Sequence, residues 1–420
     1  MNPTTFFAFL GGLLALAFIA NRLYRLTRVP DVIVLMVVGV ILGPALGWVQ
    51  AGQFQYITHI LGTLALILIL FEGGLELNLR DTLRHFPGGV LLAILGYYLS
   101  MGLVAALAWK AYHFEPRQAL LIGAVLGCVS SSIALPVLQQ IKTTRAVRIT
   151  LLVEASLGDV LGVLTVSILL ALGGNSGPKV TGFVAGILSK LFISIVVAVA
   201  LGALWSRVLR LLSEQRFWQV MTFSFVLLVY AAAQAASHGG LIAVFAFGIT
   251  LANARQADPW GLASTMGFEP AEPQHHLQIL SFHSELAFLV RSFFFILLGV
   301  IVKISGLQGY VLLTLGVFVA LVITRWIAVK ASSWAWGEKD ASEKKVAMLF
   351  FPRGLITAVL AIEVIEARGA AFSFLPALAF AVILLTNVLV VIASIRAGAR
   401  PPQNPSAPLQ GNQSVASATS

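Results

Sequence analysis

The chain has 420 residues, 59% of them hydrophobic and only 10% charged, with a mean hydropathy of +0.93. Apolar runs of about twenty residues with so few charges exclude a soluble globular domain and describe an all-α polytopic membrane protein. The net charge of +10 would mark a nucleic-acid footprint only on a soluble basic surface, which the chain has no room for.

About thirteen spans are predicted, at 4–22, 31–48, 55–75, 86–110, 118–140, 147–173, 180–206, 217–236, 239–254, 281–303, 307–333, 345–367 and 372–397. The first has no basic segment before it and runs into NRLYRLTR, so it is expected to be a retained helix. The third ends in Phe71-Glu72-Gly73-Gly74-Leu75-Glu76-Leu77, where Glu72 and Glu76 beside Arg80 and Arg84 read as a solvated helix end. The fifth is interrupted by Cys128-Val129-Ser130-Ser131-Ser132 and then Pro136. Cys128 is the only cysteine, which excludes an internal disulfide and a cysteine-based metal site. The sixth, ITLLVEASLGDVLGVLTVSILLAL, carries Glu154 and Asp159.

Lys190 lies in the seventh span, and the sequence does not decide its role. The longest hydrophilic connection, from Arg255 to about Leu280, holds Glu269, Glu272, His275 and His276 and reads as a hydrated loop. In the tenth span Glu285 and Arg291 are six residues apart, too far for an i,i+4 pair, so each is expected to meet another helix. The eleventh carries Arg325 and is followed by Trp334 and Trp336, read as interfacial anchors. The twelfth is interrupted at Phe351-Pro352-Arg353-Gly354. Residues 1–398 form the membrane domain, and the Pro/Ser/Gln-rich tail 399–420 is expected to be disordered and cytoplasmic.

With the N-terminus outside, 18 of the 27 Lys and Arg residues fall on cytoplasmic connections, 5 on external ones, and Lys190, Arg291, Arg325 and Arg353 within spans. The positive-inside rule therefore places the N-terminus outside and the C-terminus in the cytoplasm. The basic balance encodes topology.

The two interrupted spans are an odd number apart and so cross the membrane in opposite directions. Broken backbone at membrane depth survives only where protein covers it or it lines a cavity. The pattern suits an inverted repeat of spans 1–6 and 8–13, the seventh linking them, with two crossing discontinuous helices, spans 5 and 12, forming a site near the midplane.

A charge at the bilayer centre costs roughly 2.5–3.5 kcal/mol, so a span holding two carboxylates marks an ion or proton path. Residues five apart are separated by about 140° around a helix axis. Glu154 and Asp159 therefore face different surroundings, one a wet cavity and the other a buried cation. The membrane-depth cations are Lys190, Arg291, Arg325 and Arg353. A carboxylate tied to Arg stays ionised; one in low dielectric without a cation can trade a proton for a small hard cation.

In their order, Phe71-Glu72-Gly73-Gly74-Leu75-Glu76-Leu77, the serine-rich break, Glu154-Ala155-Ser156-Leu157-Gly158-Asp159, Phe293-Phe294-Phe295-Ile296-Leu297-Leu298-Gly299, Arg325 and Pro352-Arg353-Gly354-Leu355 resemble the cation/proton antiporter superfamily. The nearest branch is that of the NhaP-like sodium/proton exchangers. The resemblance implies that Asp159 is the exchanging carboxylate, that Ser130, Ser131 and Ser132 supply ion ligands, that Glu154 and Arg325 form a structural ion pair, and that Arg353 stands at the opposing break. It also implies a homodimer with a six-helix moving core. Core helices are expected at about 118–173 and 307–367, and the remaining helices form the scaffold. Two positions depart from the exchanger branch. Gly158 stands where that branch carries Asn or Asp, and serines stand where it carries Thr-Asp-Pro, as in the potassium-efflux sister branch.

The expected activity is exchange of a monovalent cation, Na⁺ first, for H⁺ by alternating access in the cell membrane. One free carboxylate implies an electroneutral cycle. K⁺/H⁺ exchange or K⁺ efflux is the alternative, with Li⁺ a further candidate ion; an ion channel is the less favoured class. No GxxxxGK(S/T) or HExxH motif occurs, so neither ATP-driven pumping nor an intramembrane metalloenzyme is supported, and no cofactor is expected.

Overall fold

The structure, a computed structural model, describes residues 3–48, 55–76, 79–171, 180–212, 217–237, 239–253, 273–302, 309–336 and 340–398. They form α1 (Pro3–Thr27), α2 (Asp31–Val40), α3 (Gln55–Glu76), α4 (Leu79–Tyr112), α5 (Pro116–Gly127), α6 (Ser131–Gln140), α7 (Arg145–Ala171) and α8 (Val180–Leu212). There follow α9 (Trp218–Ser237), α10 (Gly240–Asn253), α11 (Pro273–Ile301), α12 (Val311–Ser332), α13 (Ala341–Leu349), α14 (Leu355–Arg368) and α15 (Leu375–Ala397). Eight spans among the described residues are long and apolar enough to cross a membrane, and four shorter apolar helices lie at Gly11–Leu23, Asp31–Ala45, Ile60–Leu75 and Gly240–Asn253. The twelfth predicted span is the broken pair α13–α14, so every predicted span has a helical counterpart.

Both interruptions are real breaks in the helical ladder. Between α5 and α6, Cys128 (φ −82°, ψ 137°) and Ser130 (φ −100°, ψ 126°) are extended. Serine hydroxyls compete with the backbone for its hydrogen bonds, which favours such a break. Between α13 and α14, Phe350 leaves the helix at φ −99°, ψ 88°. Pro352 contributes no N–H and pushes its predecessor out of the helical region.

The helices pack in two groups. α4 lies on α5, α7 and α12; α6 and α14 lie on α7, and α13 and α14 on α15. The second group joins α3 to α10 and α11, α11 to α2, and α8 to α9 and α10. Between the groups, α3 touches α14, α6 and α7, and α11 touches α14. Within the second group α2 and α11 approach backbone to backbone. A Cβ on Gly39 would lie 2.1 Å from the Ile296 carbonyl oxygen and one on Gly299 2.3 Å from that of Met36, so only glycine fits at either place.

Some local expectations change. Trp334 is exposed, but Trp336 is buried, packed where a Cβ on Gly88 of α4 would lie 2.7 Å from its Cδ1. It is a packing residue and not an interfacial anchor, because the chain turns inward through a 3₁₀ segment over Ser333–Trp336. α11 begins at Pro273, a favourable first helical position, so His275 and His276 lie in a helix instead of a loop. Glu285 is exposed, with no ion pair to another helix among the described residues, unlike Arg291. Glu269, Glu272 and the tail 399–420 lie outside the described residues, as do the side chains of Lys190, Glu76, Arg80 and Arg84.

Candidate functional site

The two breaks meet. The Ser130 amide donates to the Pro352 carbonyl at 2.9 Å, and the Leu355 amide lies 3.5 Å from the Ser132 hydroxyl. Four helix ends, the C-termini of α5 and α13 and the N-termini of α6 and α14, therefore converge in the protein interior. Each carries unsatisfied backbone groups and a partial charge, and the surrounding side chains answer them by sign.

Arg353 is 2% exposed; its Nε donates to the Leu126 carbonyl at the end of α5 at 2.8 Å. Arg325, 3% exposed, donates through Nε to the Ala347 carbonyl at 2.9 Å and through Nη2 to that of Phe350 at 2.7 Å, closing the end of α13. Each first half-helix thus ends on a buried guanidinium. Residues the sequence reading passed over hold the second break. Thr386 Oγ1 accepts from the Arg353 amide at 3.2 Å, and Asn387 Nδ2 donates to the Arg353 carbonyl at 2.9 Å. Their signal in the sequence is a polar Thr-Asn pair inside the apolar run of the last span, which at membrane depth needs internal partners.

α7 delivers both carboxylates to this centre, and both are buried. Glu154 Oε1 is ion-paired and hydrogen-bonded to Arg325 Nη1, with both side chains enclosed. Arg353, the alternative partner in sequence terms, is turned toward α5 instead. Asp159 meets no cation among the described residues. Its Oδ2 accepts from the Ser131 amide at 3.1 Å and from the Ser131 hydroxyl, so the carboxylate caps the N-terminus of α6, where helix polarity favours negative charge. Its Oδ1 has no hydrogen-bond partner among the described residues. On either side of Ser131 in the chain, the Ser130 and Ser132 hydroxyls lie 2.9 Å apart and face Gly354 of the second break, where a Cβ would lie 2.9 and 3.0 Å from them. The site thus holds one carboxylate oxygen without a partner among the described residues, next to a segment of three serines of which only Ser131 is bonded to it.

Gly158 explains how α7 comes so close. A Cβ there would lie 2.9 Å from the Val129 carbonyl oxygen, so the helix rests on the main chain of the break itself. Arg291 of α11 reaches the same break, Nη1 donating to the Ser132 carbonyl at 2.7 Å while Nη2 pairs with Asp31 of α2 at 3.0 Å. Glu72, expected at a solvated helix end, is half-buried and accepts from the Ser284 hydroxyl of α11.

Comparison with known proteins agrees with this architecture. The profile of the family described as sodium/hydrogen exchanger, transmembrane, matches residues 12–396. The chain is 24% identical over 378 residues to Na(+)/H(+) antiporter 1 of Methanocaldococcus jannaschii, covering 85% of this chain and 82% of that protein. It is also 24% identical over 328 residues to the K(+)/H(+) antiporter NhaP of Alkalimonas amylolytica, covering 77% of this chain and 54% of that protein. A solved structure of the sodium proton antiporter MjNhaP1 from Methanocaldococcus jannaschii superposes with a TM-score of 0.76 at 21% identity, covering 93% of this chain and all of that one.

Proposed function

The chain belongs to the sodium/hydrogen exchanger family, and from that membership we propose that it exchanges Na⁺ for H⁺ by alternating access, with Asp159 as the shared binding group. The observation that carries this reading is the contrast between the two carboxylates of α7. Glu154 is occupied by a guanidinium, whereas Asp159 keeps one buried oxygen without a partner beside the serine-rich break. A carboxylate in that position binds a proton or a partly dehydrated Na⁺, never both. The hydroxyls of Ser130 and Ser132 replace water around the cation. The Ser131 amide and hydroxyl steady the carboxylate in either state.

Coupling follows from competition. Asp159 gives up its proton on one side, takes the cation, and is reprotonated after the cation leaves on the other. The helix bundle containing α4–α7 and α12–α15 carries the site past the bundle of α1–α3 and α8–α11, which the lighter packing between the groups permits. With one carboxylate free to change guests, the cycle exchanges one cation for one proton and moves no net charge. In this reading the protein acts as a homodimer in the cell membrane with its N-terminus outside, an orientation that the distribution of Lys and Arg supports. K⁺ is the competing ion, favoured by the serine-rich break and by the similarity to a K(+)/H(+) antiporter.

Asp159→Asn in proteoliposomes under a pH gradient tests the reading. The wild-type chain is expected to dissipate the gradient on addition of Na⁺, with Li⁺ and K⁺ ranking its selectivity, and the variant to be silent to all three. Na⁺-coupled proton movement surviving in the variant would remove Asp159 from the mechanism.

A further inference from the structure

Two arginines reach from one helix group to backbone carbonyls of the other. Arg291, anchored on α11 by its pair with Asp31 at 3.0 Å, donates to the Ser132 carbonyl in the first turn of α6 at 2.7 Å. Its neighbour on the same turn, Ser131, holds Asp159. Arg28, in the connection between α1 and α2, donates through Nη1 to the Ser394 and Ile395 carbonyls at 3.2 and 3.1 Å. Those oxygens belong to the last turn of α15, which ends at Ala397. A cation there complements the helix polarity. Arg28 adopts φ 61°, a left-handed conformation that costs a residue with a side chain on the order of 1–2 kcal/mol, so the connection is held in this form by what the residue grips.

We propose that Arg291 and Arg28 are releasable ties between the two helix groups, one beside the ion site and one at the end of α15, that hold the chain in the conformation described and let go in each transport cycle. The inference rests on the exchange reading above for its purpose and on geometry for its existence. A guanidinium bound to main-chain oxygens suits such a role. The receiving carbonyls need no particular side chain. Those at the end of α15 return to solvent at small cost, whereas the Ser132 carbonyl, whose partner four residues on is Pro136 without an N–H, must take water or another donor when its tie opens, which makes that tie the tighter of the two. Asp31 keeps Arg291 on its own group when the tie opens, so no buried cation is left alone. Releasing Arg291 also frees the first turn of α6, which links relative movement of the groups to the residues that hold Asp159. Arg291 and Arg28 act through the position of others and are positioning residues.

The test uses the full chain in oriented liposomes with Arg291→Gln, Arg28→Gln and Asp31→Asn. A second readout needs no ion. In a Cys128→Ala background, Gly73→Cys on α3 and Ser156→Cys on α7 span the boundary, where a Cβ on Gly73 lies 3.6 Å from Ser156 Oγ. Loss of a tie is expected to slow disulfide formation by that pair several-fold and to move the KM for Na⁺ in opposite directions at the two membrane faces, as a shifted conformational equilibrium requires. A structural defect would instead lower maximal rate with both KM values unchanged. Variants that fold, cross-link at the wild-type rate and keep both KM values overturn the proposal. If Arg291→Gln does not fold, Arg28→Gln and Asp31→Asn decide by the same criteria. If the unmutated chain moves no protons with Na⁺ while the tie variants still lose the cross-link, the exchange reading fails and the ties stand.

Discussion

Removing the carboxylate at position 154 would leave the Arg325 guanidinium enclosed at 3% exposure opposite a neutral amide. Deleting one partner of a buried pair costs about 3–5 kcal/mol, because the remaining charge has lost its compensation. Glu154→Gln is therefore expected to lower the melting temperature and folded yield of the detergent-solubilised protein sharply. Arg325 still closes α13 through Ala347 and Phe350, so folded protein that does form should keep some exchange. Normal stability with complete loss of transport would exchange the roles of Glu154 and Asp159. The division between these two residues was legible in part. Their spacing on one helix showed that they must face different surroundings, and the four cations within predicted spans were countable. Which cation met which carboxylate was not, since that depends on how α12 and α14 sit against α7, and no period in the sequence encodes the distance between helices.

At the scale of elements, the breaks could be placed to within a few residues, because Ser-Ser-Ser and Pro-Arg-Gly are poor continuations of a membrane helix; Ser131 and Ser132 already belong to the first turn of α6, and Pro136, expected as part of the interruption, is carried inside that helix. Their closure was less visible. Thr386, Asn387 and Asp31 satisfy or anchor the breaks from helices far away in the chain; the Thr-Asn pair signals a need for internal partners, but nothing in its segment says which backbone it meets. Gly158 is the reverse case, a departure from the exchanger pattern that becomes intelligible only in contact with Val129. Placing the branch residue there, Gly158→Asn, drives a side chain into a main-chain oxygen 2.9 Å from the Cβ position. Overpacking of this kind costs about 1–3 kcal/mol. We expect a lower melting temperature and a displaced ion site, read as a raised KM for Na⁺. A variant as stable and as tight as the parent would show that the break yields easily.

For the whole molecule, composition was sufficient to read an all-helical membrane chain and to place a helix in each predicted span, because bilayer thickness acts on every segment alike; the direction of the spans rests on the placement of Lys and Arg alone. The grouping of helices into two bundles was not open to that argument, since outward and inward faces are both apolar in a membrane. With Glu154 held by Arg325 and Asp159 proposed as the single group that changes guests, transport is expected to be electroneutral. Imposing a membrane potential of either sign with a K⁺ gradient and valinomycin, in a chain that prefers Na⁺, should leave the initial exchange rate unchanged. A rate that follows the imposed potential would require a second titrating group. The main-chain bond from Ser130 to Pro352 bears on how such a device can wear or fail. It staples the two interrupted rods where each is weakest, so neither can unwind while the other stays still. On the proposed alternating-access cycle, the cargo compartment is then expected to travel as a sealed carriage, and a leak of ions straight through the protein to need that staple pulled first.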